Sequence, residues 1–338
     1  MNEVTAYCPN KQIPELRSED IKRFDRINLA FVVLDNGDLS FKNLENIKYV
    51  DKIRAINKDI KLIISVGGAG AAGFSTMAQT KKGREQFAQQ CLAAIEKYEL
   101  DGMDLDWEFP GSVYEGMDYS ENDKENYTLL LKELRETFDK NSSKHLELSI
   151  AAGCGQWFLD QTDVKAYAPY LDNIYLMTYD LRGFGQDRTG HHTCLYLNEQ
   201  EDPIYSSANS AVQDFLNLGV PSEKLHIGSA FYSRYWTGVE NKNHGLFQKA
   251  DPSGDFGPNY DELRDKYINK KGFKRYFDTE AKAPYLFNGE TFVSYDDAES
   301  VAYKAKYCQG HDLGGIFFWR YINDEDNELI KTMDKIMH

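Results

Sequence analysis

The sequence predicts an α/β fold, a closed (β/α)8 TIM barrel carrying one insertion, and two observations predict it. Eight short apolar runs alternate with stretches of helical periodicity, which implies parallel strands joined by helical crossovers. Eight such units take ~250 residues in a barrel, and the chain has 338. The strand candidates are residues 4–7, 27–34, 61–66, 102–107, 146–152, 173–178, 226–230 and 314–319. The helical candidates between and after them are residues 47–56, 84–98, 122–138, 206–218, 297–309 and 328–337. The surplus lies mainly between the seventh and eighth strands. There, residues 232–296 are rich in Tyr, Asp, Lys and Gly and read as a separate insertion, leaving 1–231 and 297–338 to the barrel.

The fourth run is the most informative stretch: Asp101-Gly-Met-Asp-Leu-Asp-Trp-Glu-Phe-Pro110. On a strand, side chains alternate faces, so Asp104, Asp106 and Glu108 share one face and Met103, Leu105 and Trp107 take the other. A helix would scatter the same residues around its axis. Crowded carboxylates in a buried site cannot all ionise freely; the usual relief is a raised pKa and a shared proton. That keeps one carboxylic acid protonated near neutral pH, ready to serve as a general acid. Barrel enzymes place their chemistry at the C-terminal ends of the strands. Other predicted strand ends carry polar or aromatic groups too: Ser65-Val-Gly-Gly68, Met177-Thr-Tyr-Asp180, Phe231-Tyr-Ser-Arg234 and Phe317-Phe-Trp319.

Composition narrows the field. A net charge of -15 argues against nucleic acid and anionic membrane surfaces and fits a neutral or cationic substrate. No run of ~18 apolar residues is present to span a membrane. The first residues lack the basic and apolar regions of a signal peptide. The chain is expected to be exported if a leader has been removed and cytoplasmic if it is complete as given. Five scattered cysteines with no CxxC indicate neither a zinc site nor a disulfide framework. No cofactor or metal is expected, and a monomer is. With 22 Tyr, the chain has rings to spare for stacking on carbohydrate.

Three other readings compete. The acidic stripe could decorate a solvated edge strand or bind a hard divalent cation, but the EF-hand pattern fails where Phe109 replaces the required Gly. Gly68-Ala-Gly70-Ala-Ala-Gly73 is a literal GxGxxG after a strand. A dinucleotide site needs a helix to open at once, with an acidic residue ~20 positions on, whereas the helix is expected to begin near Gly83. His191 and His192 point apart on most backbones and are expected in a solvated loop.

Taken together, these motifs resemble the family 18 glycoside hydrolases, which include chitinases. Asp101, Asp104, Asp106 and Glu108 match the acidic signature D-x-x-D-x-D-x-E in full. Ser65-Val-Gly-Gly68 is similar to S-x-G-G on strand three, and Met177-Thr-Tyr-Asp180 to M-x-Y-D on strand six. Segments 283–285 and 294–297 look like parts of the small α+β insertion of many members. The resemblance implies a substrate-assisted retaining mechanism, with chitin or its oligosaccharides as substrate. Glu108 would be the general acid and base, Asp106 would orient the substrate's acetamido group, and Asp104 would share a proton with Asp106. Tyr179 would donate to the acetamido oxygen, and Trp319 would floor the reacting sugar's subsite. Tyr7, Phe31, Ser65, Met177, Asp180, Tyr232 and Arg234 match positions lining the groove. Trp157 and Trp236 are expected to be sugar platforms in neither case. Many members place Trp after the Gly-Gly pair, on the leaving-group side; here the residue is Ala69. The resemblance leaves open an endo-β-N-acetylglucosaminidase, a cell-wall glycan hydrolase and a non-catalytic chitin-binding lectin.

Overall fold

The computed structural model describes residues 2–113, 116–321 and 326–338. Eight parallel strands form the barrel: β1 (Glu3–Pro9), β2 (Arg26–Asp35), β3 (Lys61–Gly67), β4 (Gly102–Asp106), β5 (Glu147–Ala152), β6 (Asn173–Leu176), β7 (Leu225–Ala230) and β8 (Gly315–Trp319). Their order around the sheet is β1-β8-β7-β6-β5-β4-β3-β2, and pairing of β1 with β2 closes it. Each predicted strand is present within a residue or two of its expected bounds. Buried on both faces, these strands read as near-continuous apolar runs, as parallel strands do.

Every predicted helix is present too, and local chemistry sets several of their starts. Thr80 caps the helix Lys81–Lys97 by accepting from Gly83 N–H. Ser207 with Ser210, and Asp297 with Ser300, form capping boxes that open the helices Ala208–Asn217 and Ala298–Gly310. One expectation is corrected. A helix opens directly after Gly73, at Phe74–Ala78, ahead of the one expected near Gly83. Its Phe74 and Met77 are buried against the barrel wall, so apolar contact holds the short turn in place.

Five strands between β7 and β8 form an antiparallel sheet in the order Asp255–Asn259, Tyr232–Trp236, Phe292–Ser294, Ala283–Phe287, Lys274–Asp278, with the helix Tyr260–Lys266 packed beside it. This sheet has its own small core around Trp236, Phe287 and Phe292. Trp236 is fully buried and donates its indole N–H to Gln186 O at 3.1 Å, as its expected structural role requires.

A buried ion pair ties the end of this insertion to the barrel. Lys304 and Asp296 are both fully buried, 2.7 Å apart. Asp296 also accepts from Ala230 N–H at the end of β7 and from Thr193 and Ser300 hydroxyls, while Lys304 donates to Gly228 O. Burial alone would raise the Asp296 carboxyl; the Lys304 charge and these bonds bring it below its ordinary value. At the opposite end of the barrel Arg26, almost wholly buried, pairs with Glu3 and Glu147. All five cysteines are free and buried, and burial pushes each thiol's pKa up. Among the described residues no helix is long and apolar enough to cross a membrane.

The Lys304–Asp296 pair makes a stability prediction. Removing one partner strands a buried charge, so Lys304→Ala should cost about 3–5 kcal/mol of folding free energy. Urea denaturation with far-UV circular dichroism would measure it, and a loss under about 1 kcal/mol would mean that the pair behaves as a surface contact.

Candidate active site

The alternation on β4 divides its side chains between two environments. Met103, Leu105 and Trp107 are buried beneath helices. The Trp107 ring stacks on Phe74 at 5.6 Å and meets Tyr127 of the helix Asp123–Asn141 edge-on at 5.7 Å. Asp104 and Asp106 face the barrel axis and are almost completely removed from solvent.

Strand register explains how Asp104 survives burial. Ser65 on β3 and Ser149 on β5 stand directly beside it. Asp104 Oδ2 accepts from the Ser65 hydroxyl at 2.7 Å and the Tyr7 hydroxyl at 2.9 Å, and Oδ1 accepts from Ser149 at 2.9 Å. Burial still holds this carboxyl above its ordinary range, although all three bonds favour the charged form.

Asp106 has a different environment. Burial pushes its carboxyl well above the usual range, the charges of Glu108 and Asp104 add to this, and so does a hydrogen bond shared with Glu108. Its Oδ1 is buried with no partner among the described residues. The sequence predicts a proton shared between Asp104 and Asp106. In the structure the shared bond runs between Asp106 and Glu108 instead, because three hydroxyls already occupy the oxygens of Asp104. The backbone of β3 must pass close by: a Cβ on Gly67, whose φ is +128°, would sit 1.9 Å from Asp106 O, so only glycine fits.

Tyr179 follows β6, half-buried, with its ring edge against Phe317 and Tyr232. Burial and the nearby charges of Asp106 and Glu108 push its phenol well above the ordinary value, so it remains a proton donor. Next to it Asp180 accepts from Arg234 Nε at 2.8 Å, and the buried His192 Nδ1 lies 3.6 Å away. Burial alone would raise Asp180; the His192 and Arg234 hydrogen bonds outweigh it and bring the carboxyl down to about 2. Its side chain is 32% exposed, so solvent screens part of that effect. His192 itself is held below its ordinary pKa, chiefly by burial.

On the other half of the barrel mouth, Trp319 ends β8 and stacks on Phe31 at 5.4 Å with 20° between the rings. Tyr7 lies beneath them, 6.1 Å from Trp319, and Met177 joins the same apolar cluster.

The predicted site residues therefore converge, but not all of them line the groove. Tyr7, Ser65, Tyr232 and Arg234 are buried. Tyr7 and Ser65 hold Asp104; Arg234 holds Asp180. Arg234 is covered because the rings of Phe184 and Phe256 each lie 3.7 Å from its guanidinium. Phe31, Met177, Tyr179, Asp180 and Trp319 reach the open mouth. The solvated-loop expectation for the histidines is wrong. His191 and His192 are both buried, His191 Nε2 lying 3.1 Å from Asp278, because the insertion folds over their loop. Ser149, Phe184 and Phe256 escape the sequence reading, which places His192 only in a solvated loop. Only Ser149 left a signal, as a polar residue inside the apolar run 146–152. Among the described residues no group of three His, Cys, Asp or Glu could hold a metal ion.

Residues 3–324 match the model of the family Glycosyl hydrolases family 18. Chitinase A1 of Niallia circulans is 37% identical over 84% of this chain, which spans only 43% of that protein's length. Chitinase B of Serratia marcescens is 27% identical over 93% of this chain and 76% of its own. The solved structure of a family 18 N-acetylglucosaminidase from Paenibacillus barengoltzii superposes with a TM-score of 0.97 and 42% identity, covering 99% of this chain and 100% of that one.

The Asp180 cluster makes a second prediction. A carboxyl whose pKa is depressed on folding contributes stability above its unfolded value, ~3.9, and loses it as pH falls through the folded value. Asp180 should therefore contribute until the pH drops from about 4 toward about 2. Arg234→Met should move its titration upward toward the ordinary range, as carbon-13 NMR of the carboxyl would read. A titration that stayed near the wild-type value would assign the depression to His192 alone.

Proposed function

The chain belongs to glycosyl hydrolases family 18, and on that premise we propose that it is a chitinase, cleaving β-1,4 bonds between N-acetylglucosamine units with retention and with the substrate's own acetamido group as nucleophile. One observation carries the mechanism. Two-carboxylate glycosidases hold their carboxyl groups about 5–5.5 Å apart to retain configuration, or about 6.5–9.5 Å apart to invert it. Asp106 and Glu108 are hydrogen-bonded to each other, too close to flank a glycosidic bond. Asp104 is buried under three hydroxyls and cannot reach a sugar. Neither Asp104 nor Asp106 is therefore placed to attack a sugar held by Glu108, which supports a nucleophile that comes with the substrate.

The residues then divide the work. Glu108 gives its proton to the glycosidic oxygen, and the bond from that oxygen to the anomeric carbon breaks. The acetamido carbonyl oxygen attacks the same carbon from the other face, forming an oxazolinium ion. Asp106 turns its free Oδ1 to the acetamido N–H and balances the new positive charge, and Tyr179 donates its protonated phenol to the acetamido oxygen. Glu108, now ionised, takes a proton from the water that opens the ring. Asp104 acts through its charge, which raises Asp106 and favours the proton-sharing state with Glu108. Trp319 offers a flat floor for a distorted pyranose. Because the attack is intramolecular, it gains from proximity.

Likeness to the Paenibacillus N-acetylglucosaminidase favours a second reading, release of single N-acetylglucosamine units. Digestion of the N-acetylglucosamine tetramer, read for product length and initial anomer together, separates the two. Dimer appearing first as the β-anomer supports the chitinase, and monomer as the β-anomer the second reading. An α-anomer would overturn substrate assistance in both. Glu108→Gln should lower kcat by ~10²–10⁴-fold while the tetramer still binds; retention of more than about a tenth of the activity would remove Glu108 from the role of acid. Asp104→Asn takes away a negative charge beside Asp106, so the pH profile of kcat/KM should move toward lower pH. An unchanged profile would leave Asp104 a purely structural part.

A further inference from the structure

Trp157 is held at the barrel mouth in a way that core packing does not explain. It is 45% exposed, whereas Trp107 and Trp236 are buried. It opens the short helix Gln156–Gln161, just past the C-terminal end of β5. Its ring stands edge-on to Phe109 at 4.8 Å, and Phe109 is the residue after Glu108. Gly153 makes room for it: a Cβ there would lie 2.6 Å from Trp157 Cη2. A large apolar ring is thus seated on a bare backbone, braced on one edge and left open to solvent.

The barrel order gives the ring its direction. β4 lies four strands from β8 whichever way the sheet is followed, and β5 is its neighbour. Trp319 and Phe31 therefore occupy one half of the mouth, Trp157 and Phe109 the other, with Asp106 and Glu108 on the inner wall of β4 beside the second pair. The loop after β3, on the other flank of β4, exposes Ala69 and Gly70, which offer no ring. The oxygen that accepts the proton of Glu108 belongs to the departing sugar, so that sugar must lie on the Glu108 side. A pyranose presents an apolar face of C–H bonds, and the negative face of an indole attracts it.

Resting on the chitinase reading, we propose that Trp157 is the stacking platform for the leaving-group sugar, supplied by the loop after β5. The platform helps to bind and orient the leaving group and takes no part in the steps that follow its departure.

Two substrates test this. The N-acetylglucosamine tetramer places sugars on the leaving-group side; chitobiose oxazoline, opened by water alone, places none there. Trp157→Ala should lower kcat/KM for the tetramer about tenfold and leave oxazoline hydrolysis within about twofold of wild type, and Trp157→Phe should restore part of the loss. Equal losses on both substrates, or none on the tetramer, would overturn the platform. If the wild-type protein hydrolysed neither substrate, the chitinase reading itself would fall and the platform with it.

Discussion

Three carboxyl groups on one face of a buried strand are the constraint around which this protein is arranged. Placing them there costs solvation, and each is relieved differently. Asp104 is surrounded by hydroxyl donors from three other strands, Asp106 shares a bond with Glu108, and Glu108 sits at the rim. The gradient from fully satisfied to partly open runs along only five residues. It depends on the parallel register of β3, β4 and β5, which sets two serines beside one aspartate. A one-residue slip would turn both serines to the opposite face and leave the carboxylate uncompensated.

The barrel supplies the scaffold for this gradient, and the insertion supplies a wall. Asp180 stands where the two meet. Its carboxylate is fixed by Arg234 from the insertion and approached by His192 from the loop after β6, while Phe184 and Phe256 close over the guanidinium. The cation is shielded from water, and its hydrogen bonds go to Asp180 and to the Gly254 carbonyl. The Lys304–Asp296 pair is buried deeper down, where it joins β7, the loop after β6 and the helix Ala298–Gly310. Through Arg234 to Asp180 and through Thr193 to Asp296, both clusters tie the loop after β6 to segments 54 and 103 residues further on.

This difference in range explains what the sequence reveals and what it conceals. The eight strands and the acidic stripe are legible because period-2 alternation is local: Asp104, Asp106 and Glu108 announce one shared face within five residues. The position of Trp319 and Tyr179 follows from strand ends, which are local as well. The partner of Asp106 is not legible, since it depends on which hydroxyls three other strands bring to Asp104. The burial of His191 and His192 is not legible either. Their loop reads as polar, and only the insertion, some ninety residues on, covers it through Asp278 and Ser294. Arg234 looks like a groove residue in sequence because arginine is a polar side chain after a strand; two phenylalanines from separate segments make it an interior one.

The five thiols have a consequence of their own. Thiol–disulfide exchange proceeds through the thiolate, and burial suppresses both ionisation and access at every cysteine of the chain. The folded state therefore has no redox-dependent cross-link to gain or lose. Reductants such as dithiothreitol should leave the folded shape untouched. Stability here comes from packing, hydrogen bonds and buried charge pairs, with no covalent cross-link among the five cysteines.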